Sequence, residues 1–341
     1  MKLAIVANNI EGNYDGIGKH ARLLADAMLK NGVETHFYSG ITWNKKKREL
    51  FYSFEMSRAI LNLIKDVKKC RYDYILIEYP FIEYNPLILI VLLILFVRTR
   101  FSRTRIALSL HEYNRVNKLR KLAIIGFLAL SDFAFYTNKE YCEKFRLLER
   151  KSFTRFIPGH INCPQGEKDY SNRRFSYFGL INGSKAFEEM LQAWKCFNKG
   201  KKYQLDIATC SPFNIDDYRK YNVFLHSDLP DADVAEMLFN SSFTIIPSKP
   251  NIALNNGSFM AATLCGSIPI GVLSDVVKSE GFSIGSRTYG LSDFVDSLQH
   301  AVSLSNEDVK NLSVKAHLFG KQYSFDKLAK EMISVFENFE R

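Results

Sequence analysis

The chain has little of what usually identifies a protein at first sight. Its six cysteines stand singly at 70, 142, 163, 196, 210 and 265, with no Cys-x-x-Cys pair. That spacing argues against a zinc site and a disulfide framework, and it points to a reducing compartment. No His, Cys or carboxylate cluster has metal-ligand spacing, so no metal and no cofactor is expected. The pair Asp231-x-Asp233 opens a helical pattern, where acidic side chains complement the helix dipole. No apolar run reaches the roughly 20 residues that a bilayer-spanning helix needs. The N-terminus, MKLAIV, enters a strand pattern directly. It lacks the charged region, apolar stretch and cleavage site of a secretory leader, so a cytoplasmic location is expected. No disordered tract is present either. A dense basic stripe is also missing: 46 Lys and Arg against 36 Asp and Glu give a formal charge of +10, but these residues are scattered. Such a surface favours anionic partners, while nucleic acid, which usually meets a stripe or a reading module, is not expected.

What is present is regular. At 341 residues the chain suits two domains of about 150 residues each. LAIVAN, THFYSG, YDYILIEYP, RIALSLHEY and DFAFYTN read as short strands with helical patterns between them. The alternation breaks at RFIPGHINCPQGEKDYSNRR, a linker rich in proline, glycine and polar residues. A second series follows: RFSYFGLIN, SKAFEEMLQAWKCFNKG, YQLDIAT, DADVAEMLFNSS and FTIIPS. The tail, SFDKLAKEMISVFENFE, reads as an amphipathic helix. The expected fold class is therefore α/β, two doubly wound, Rossmann-like domains facing each other across a cleft. Their ranges are 1–160 and 161–341, with the last helix free to cross back. In such sheets ligands bind beyond the carboxyl ends of the strands.

Four loops fall at such ends. NNIEGNYDGIGKHA places Gly16, Ile17 and Gly18 between the first strand and the first helix, where glycine lets backbone approach a ligand and a helix N-terminus favours an anion. ALSLHEY ends a strand with His111 and Glu112; the histidine either meets a sugar or charge, or is packed and satisfied. In YFGLINGSKAF, Gly179 ends a strand and Lys185 lies at the next helix start, suited to a phosphate or simply solvated. IALNNGSFMAATLCGSIPIG places Asn255, Asn256, Gly257 and Ser258 at a helix start with nothing charged nearby. Ser258 is the expected N-cap, and the backbone amides there either hold a diphosphate or serve plain capping.

The order of these features resembles the GT-B retaining glycosyltransferases of the "glycosyl transferases group 1" type (family four), including bacterial polysaccharide enzymes, over nearly the whole chain. DGIGKHA is similar to that family's first glycine-rich loop, and FIPGHI to the segment after its linker strand. FGLINGSKAFEEMLQAW resembles the Gly-Arg-Leu…Lys-Gly signature, with Lys185 at the donor-phosphate position. IIPSKPN…NNGSFMAATLCGSIPI resembles the donor segment. The resemblance implies transfer of a sugar from a nucleotide-sugar donor to a lipid-linked or growing glycan acceptor, in surface polysaccharide (lipopolysaccharide or capsule) biosynthesis, with His111 and Lys185 as the catalytic pair. Gly179, Lys185 and Asn255–Ser258 would bind the donor, and the Gly16–Gly18 loop with Glu112 the acceptor side. Two departures stand out. The signature arginine is Leu180, and the family's glutamate pair falls on Ala253 and Ala261. Their loss leaves a second reading open, a non-catalytic GT-B-like protein that binds glycan or a partner enzyme.

One stretch stands apart. PLILIVLLILFV (86–97) is apolar on every side and is followed by Arg98, Arg100, Arg103 and Arg105. It reads either as a buried helix or as an interfacial segment at an anionic membrane surface, which would make the protein peripheral at the membrane's inner face.

Overall fold

The five runs of the first half read as strands all become parallel strands, whereas the longest apolar run, at 86–97, supplies a helix. In the computed structural model, residues 1–8, 16–40, 54–81, 87–113, 116–148, 151–183, 185–200 and 203–339 are described. The basic run Lys45–Arg48 and much of the first glycine-containing loop lie outside them. The chain forms two compact units, Met1–Phe156 with Phe325–Arg341, and Ile157–Ser324.

In the first unit the order is β1 (Lys2–Ala7), α1 (Gly16–Lys30), β2 (Glu34–Ser39), α2 (Glu55–Cys70), β3 (Tyr74–Tyr79) and α3 (Leu87–Arg100). There follow β4 (Arg105–Leu110), α4 (Lys118–Leu130), β5 (Phe133–Tyr136), α5 (Lys139–Phe145) and β6 (Ser152–Thr154). The sheet runs β2-β1-β3-β4-β5-β6, parallel throughout. Parallel strands covered on both faces are near-continuous apolar runs. β3, with sequence YILIEY, is buried at all six positions, one of them a glutamate. One face of the sheet packs on α2, α3 and α4, and the other on α1 and the C-terminal helix.

The second unit contains β7 (Arg174–Phe178), α6 (Phe187–Phe197), β8 (Gln204–Thr209), α7 (Asp216–Arg219), β9 (Val223–Ser227), α8 (Asp231–Asn240) and β10 (Phe243–Ile245). It continues with α9 (Gly257–Leu264), β11 (Ile268–Val272), α10 (Asp275–Ser279), β12 (Ile284–Ser286), α11 (Leu291–Ser303) and α12 (Asn306–Lys321). Its sheet runs β12-β11-β10-β7-β8-β9, again parallel. Trp194, fully buried on α6, anchors one face through its ring contacts with Phe175 and Phe197. On the other side α9 and α12 pack together around Phe259, Phe282 and Phe319.

The last helix, α13 (Phe325–Phe339), belongs to the first unit. Its apolar stripe explains why. Leu328, Ala329, Met332 and Phe336 are buried against α1 and β5, Phe336 stacks on Tyr74 at 4.5 Å, and the Tyr74 hydroxyl donates to the Phe336 carbonyl at 2.6 Å.

Candidate functional site

Each sheet changes direction once. In the second unit the chain runs outward from β7 through β8 to β9, then returns to β10 on the other side of β7 and runs outward to β12. The loops after β7 and β10 therefore part from each other at one point, the place where doubly wound sheets hold ligands. Both loops carry residues singled out in the sequence.

They meet closely. Gly179 follows β7 with φ +139°, a conformation open to glycine. A Cβ there would lie 2.9 Å from the Ser258 hydroxyl at the start of α9. The missing side chain thus lets the first turn of α9 approach the end of β7. Lys185 sits two residues before α6, bridged to Ser248 in the loop after β10, and the next amide, Ala186, donates to the Pro247 carbonyl. Gly179, Lys185 and the α9 start thus belong to one loop cluster. Leu180, at the position where the resemblance has arginine, is 43 % exposed, and its carbonyl accepts a hydrogen bond from Tyr177.

The cap of α9 differs from expectation. Asn256, not Ser258, is the N-cap: its side chain accepts from the Phe259 amide at 3.1 Å. The turn that closes Asn256 N–H onto the Ala253 carbonyl fixes this register and leaves Ser258 one residue inside the helix. Gly257 is the first helical residue, and a Cβ there would meet nothing within 4 Å. Neither Ala253 nor Ala261 offers a carboxylate. Ala261 lies wholly in the apolar cluster under α8 and α9, facing the core. At the far end of the helix the Lys168 ammonium donates to the Cys265 and Gly266 carbonyls at 3.2 and 2.7 Å. Asp231 and Asp233 lie in the first turn of α8, as their dipole reading requires.

In the first unit the reversal lies between β1 and β3. Gly16, Ile17 and Gly18 are here the opening residues of α1 itself, not a loop before it. Glycine's weak helix propensity costs little at a first turn, where backbone amides are unsatisfied anyway. His111 follows β4, and its amide donates to the Tyr79 carbonyl. Glu112, the next residue, is half-buried.

His111 is held by two residues that the sequence reading missed. Arg155 donates from Nη1 and Nη2 to the two carboxylate oxygens of Glu78 at 3.1 and 2.8 Å. His111 Nε2 lies 2.7 Å from Glu78 Oε2 and 2.7 Å from Arg155 Nη2. The Glu78 side chain is fully buried, and that of Arg155 is 2 % exposed. Burial alone would push the Glu78 carboxyl up, but Arg155 and His111 hold it well below the usual carboxylate range. Burial and the Arg155 charge push His111 down from its ordinary value, which favours the neutral imidazole. With its proton on Nδ1 it accepts from Arg155; with the proton on Nε2 it donates to Glu78. His20, in α1, packs edge-on against His111 with ring centroids 5.4 Å apart. Among the described residues no group of three or more His, Cys, Asp or Glu is arranged to hold a metal.

No protein-family profile matches the sequence, and no curated protein matches it. Solved structures do match. Anabaena HepE in complex with UDP and glucose aligns over 99% of this chain and 100% of its own, with a TM-score of 0.68 at 9% identity. A glycosyltransferase from Rickettsia africae aligns over 100% and 98%, with a TM-score of 0.66 at 10% identity. An alpha-glucosyltransferase in complex with UDP-glucose and DNA containing an abasic site aligns over 99% of both chains, with a TM-score of 0.71 at 14% identity. At these identities the likeness establishes the fold, the α/β GT-B type with two doubly wound units.

Proposed function

We propose that the chain is a glycosyltransferase that takes its sugar from a nucleotide-sugar donor, a UDP-sugar being the first candidate. The observation that carries this reading is the loop cluster of the second unit. At the reversal point of the sheet, Gly179 lets the amide-rich start of α9 come close, and Lys185 is tied to the same loops. A helix N-terminus beside a lysine suits a diphosphate, with the amides acting where no carboxylate or arginine is present. The solved neighbours support the donor class, since HepE and the alpha-glucosyltransferase bind UDP or UDP-glucose.

In this reading the bond from the sugar's anomeric carbon to the diphosphate breaks and one to an acceptor hydroxyl forms. The hydroxyl proton passes to the departing phosphate oxygen. Lys185 and the α9 amides stabilise the negative charge that grows on the diphosphate, so no metal is required. Transfer proceeds with retention of configuration. The first unit, through the α1 start at Gly16–Gly18, Glu112 and neutral His111, binds a lipid-linked or growing glycan acceptor of surface polysaccharide biosynthesis. The protein works as a peripheral protein on the inner face of a membrane.

The test is a titration of the purified chain with a panel of nucleotide sugars, followed by the best binder against Lys185→Ala. Affinity should fall by about 10- to 100-fold, the 1.5–3 kcal/mol of a hydrogen bond to a charged group. Unchanged affinity in a folded Lys185→Ala chain removes the lysine from the site. Binding of the donor without turnover on any acceptor would favour the non-catalytic reading, which the missing carboxylates at Ala253 and Ala261 support.

A further inference from the structure

Helix α3 is apolar on both sides, and only one side is covered. Val91, Leu92, Leu95 and Phe96 are buried against the sheet and its neighbouring helices. On the opposite side Ile90, Leu93, Ile94 and Val97 are 45 to 56 % exposed. A helix flanking a doubly wound sheet normally turns charged and polar residues outward. Here the outward stripe carries none until Arg98. The pattern does not stop at α3. Phe96 stacks on Phe127 of α4 at 5.4 Å, and α4 presents its own exposed Leu119 and Leu122. Phe101, just past the end of α3, is 87 % exposed. Single exposed hydrophobes are ordinary, but two adjacent helices that both present them are the mark of an interaction surface.

Among the described residues, the charges on α3, on α4 and in the turn after α3 are all positive. Arg98, Arg103 and Lys118 are exposed on the same two helices and the turn after α3. Arg100 and Arg105, by contrast, both reach Asp132 at 3.5 Å. An apolar stripe with cations at its margin matches the interface of an anionic bilayer, with side chains among the acyl chains and cations at the headgroups. Nucleic acid would leave the isoleucines and leucines uncovered. No described helix is long and apolar enough to cross a membrane, so the contact is one of lying on the surface.

We infer that the outer faces of α3 and α4 together seat the first unit on an anionic lipid surface. The purpose of this seat rests on the proposed lipid-linked acceptor; its existence can be tested without it. Flotation is measured with vesicles of phosphatidylcholine alone and of phosphatidylcholine mixed with phosphatidylglycerol. The full chain should float with the anionic vesicles, and raised salt should weaken the binding without abolishing it, because the apolar part is not screened. The variant Ile90→Ser/Ile94→Ser/Leu122→Ser changes only exposed positions. It should keep its melting temperature and nucleotide affinity while losing lipid binding by about tenfold per side chain withdrawn from lipid. Arg98→Glu/Arg103→Glu should abolish the preference for anionic vesicles. Three results overturn the inference: no flotation at low salt, flotation unchanged in the serine variant, or a dimer of the full chain that the serine variant dissociates. The last would assign the face to a second copy. Loss of nucleotide binding with flotation intact would count against the proposed function alone.

Discussion

Glu78 illustrates what one residue can carry in this molecule. Its carboxylate lies inside a fully buried strand, and its charge is matched by Arg155 and approached by His111. Breaking a buried pair leaves the remaining charge uncompensated, so Glu78→Gln should destabilise the chain by about 3–5 kcal/mol, read as a shift in its urea midpoint. The pH dependence has the same origin. The folded-state pKa values of His111 and Glu78 both lie below their ordinary values of 6.5 and 4.5. On acidification the unfolded chain takes up each proton before the folded one does, so stability falls as pH drops below about 6.5 and falls further through the carboxylate range. Glu78→Gln should flatten the carboxylate part of that fall. A variant as stable as the parent with the same acid profile would mean that the cluster is not a buried ion pair. His111 stood out in the sequence at the end of its strand, but its partners did not. A glutamate in YILIEY gives no sign of its partner 77 positions away, and Arg155 sat in a stretch read as linker. His20 had a weak local signal, its place one turn into the helix that begins at the paired glycines.

At the scale of the element, α9 is where sequence and structure can be compared most closely. The helix start was legible from Asn-Asn-Gly-Ser before an apolar run. The cap was not, because Asn255, Asn256 and Ser258 are all capable of it, and the Ala253–Asn256 turn decides among them. The same limit applies to α1, whose first turn includes the glycines assigned to a loop. Strand positions were easier, since short apolar runs between turn residues have few alternatives in an alternating pattern. The corrected geometry separates two roles of the α9 start. Asn256→Ala should cost about 1 kcal/mol of stability through the lost cap. Gly257→Val places a side chain in open space, so stability should change by no more than about 0.5 kcal/mol. If the open space before Gly257 is the diphosphate seat, Gly257→Val should still weaken nucleotide-sugar binding by about tenfold or more. Melting temperature and affinity measured on the same samples distinguish the two roles. Intact affinity in Gly257→Val would reduce α9 to plain capping.

The whole molecule is two parallel six-stranded sheets, among the described residues, each reversing once. The alternation of strands and helices made that class legible, because a parallel sheet requires a crossover between successive strands. The reversal points were not, since no local pattern states whether β10 returns to the side of β7 or continues past β9. Yet the reversal is what brings Gly179, Lys185 and the α9 start into one cluster, the proposed seat of a nucleotide diphosphate. Amide hydrogen exchange of the full chain, with and without the nucleotide sugar that binds best, tests that proposal directly. Exchange should slow at the first amides of α9, residues 257–260, and in the loop from 179 to 186. Protection confined to other segments, or no binding by any nucleotide sugar, would contradict it.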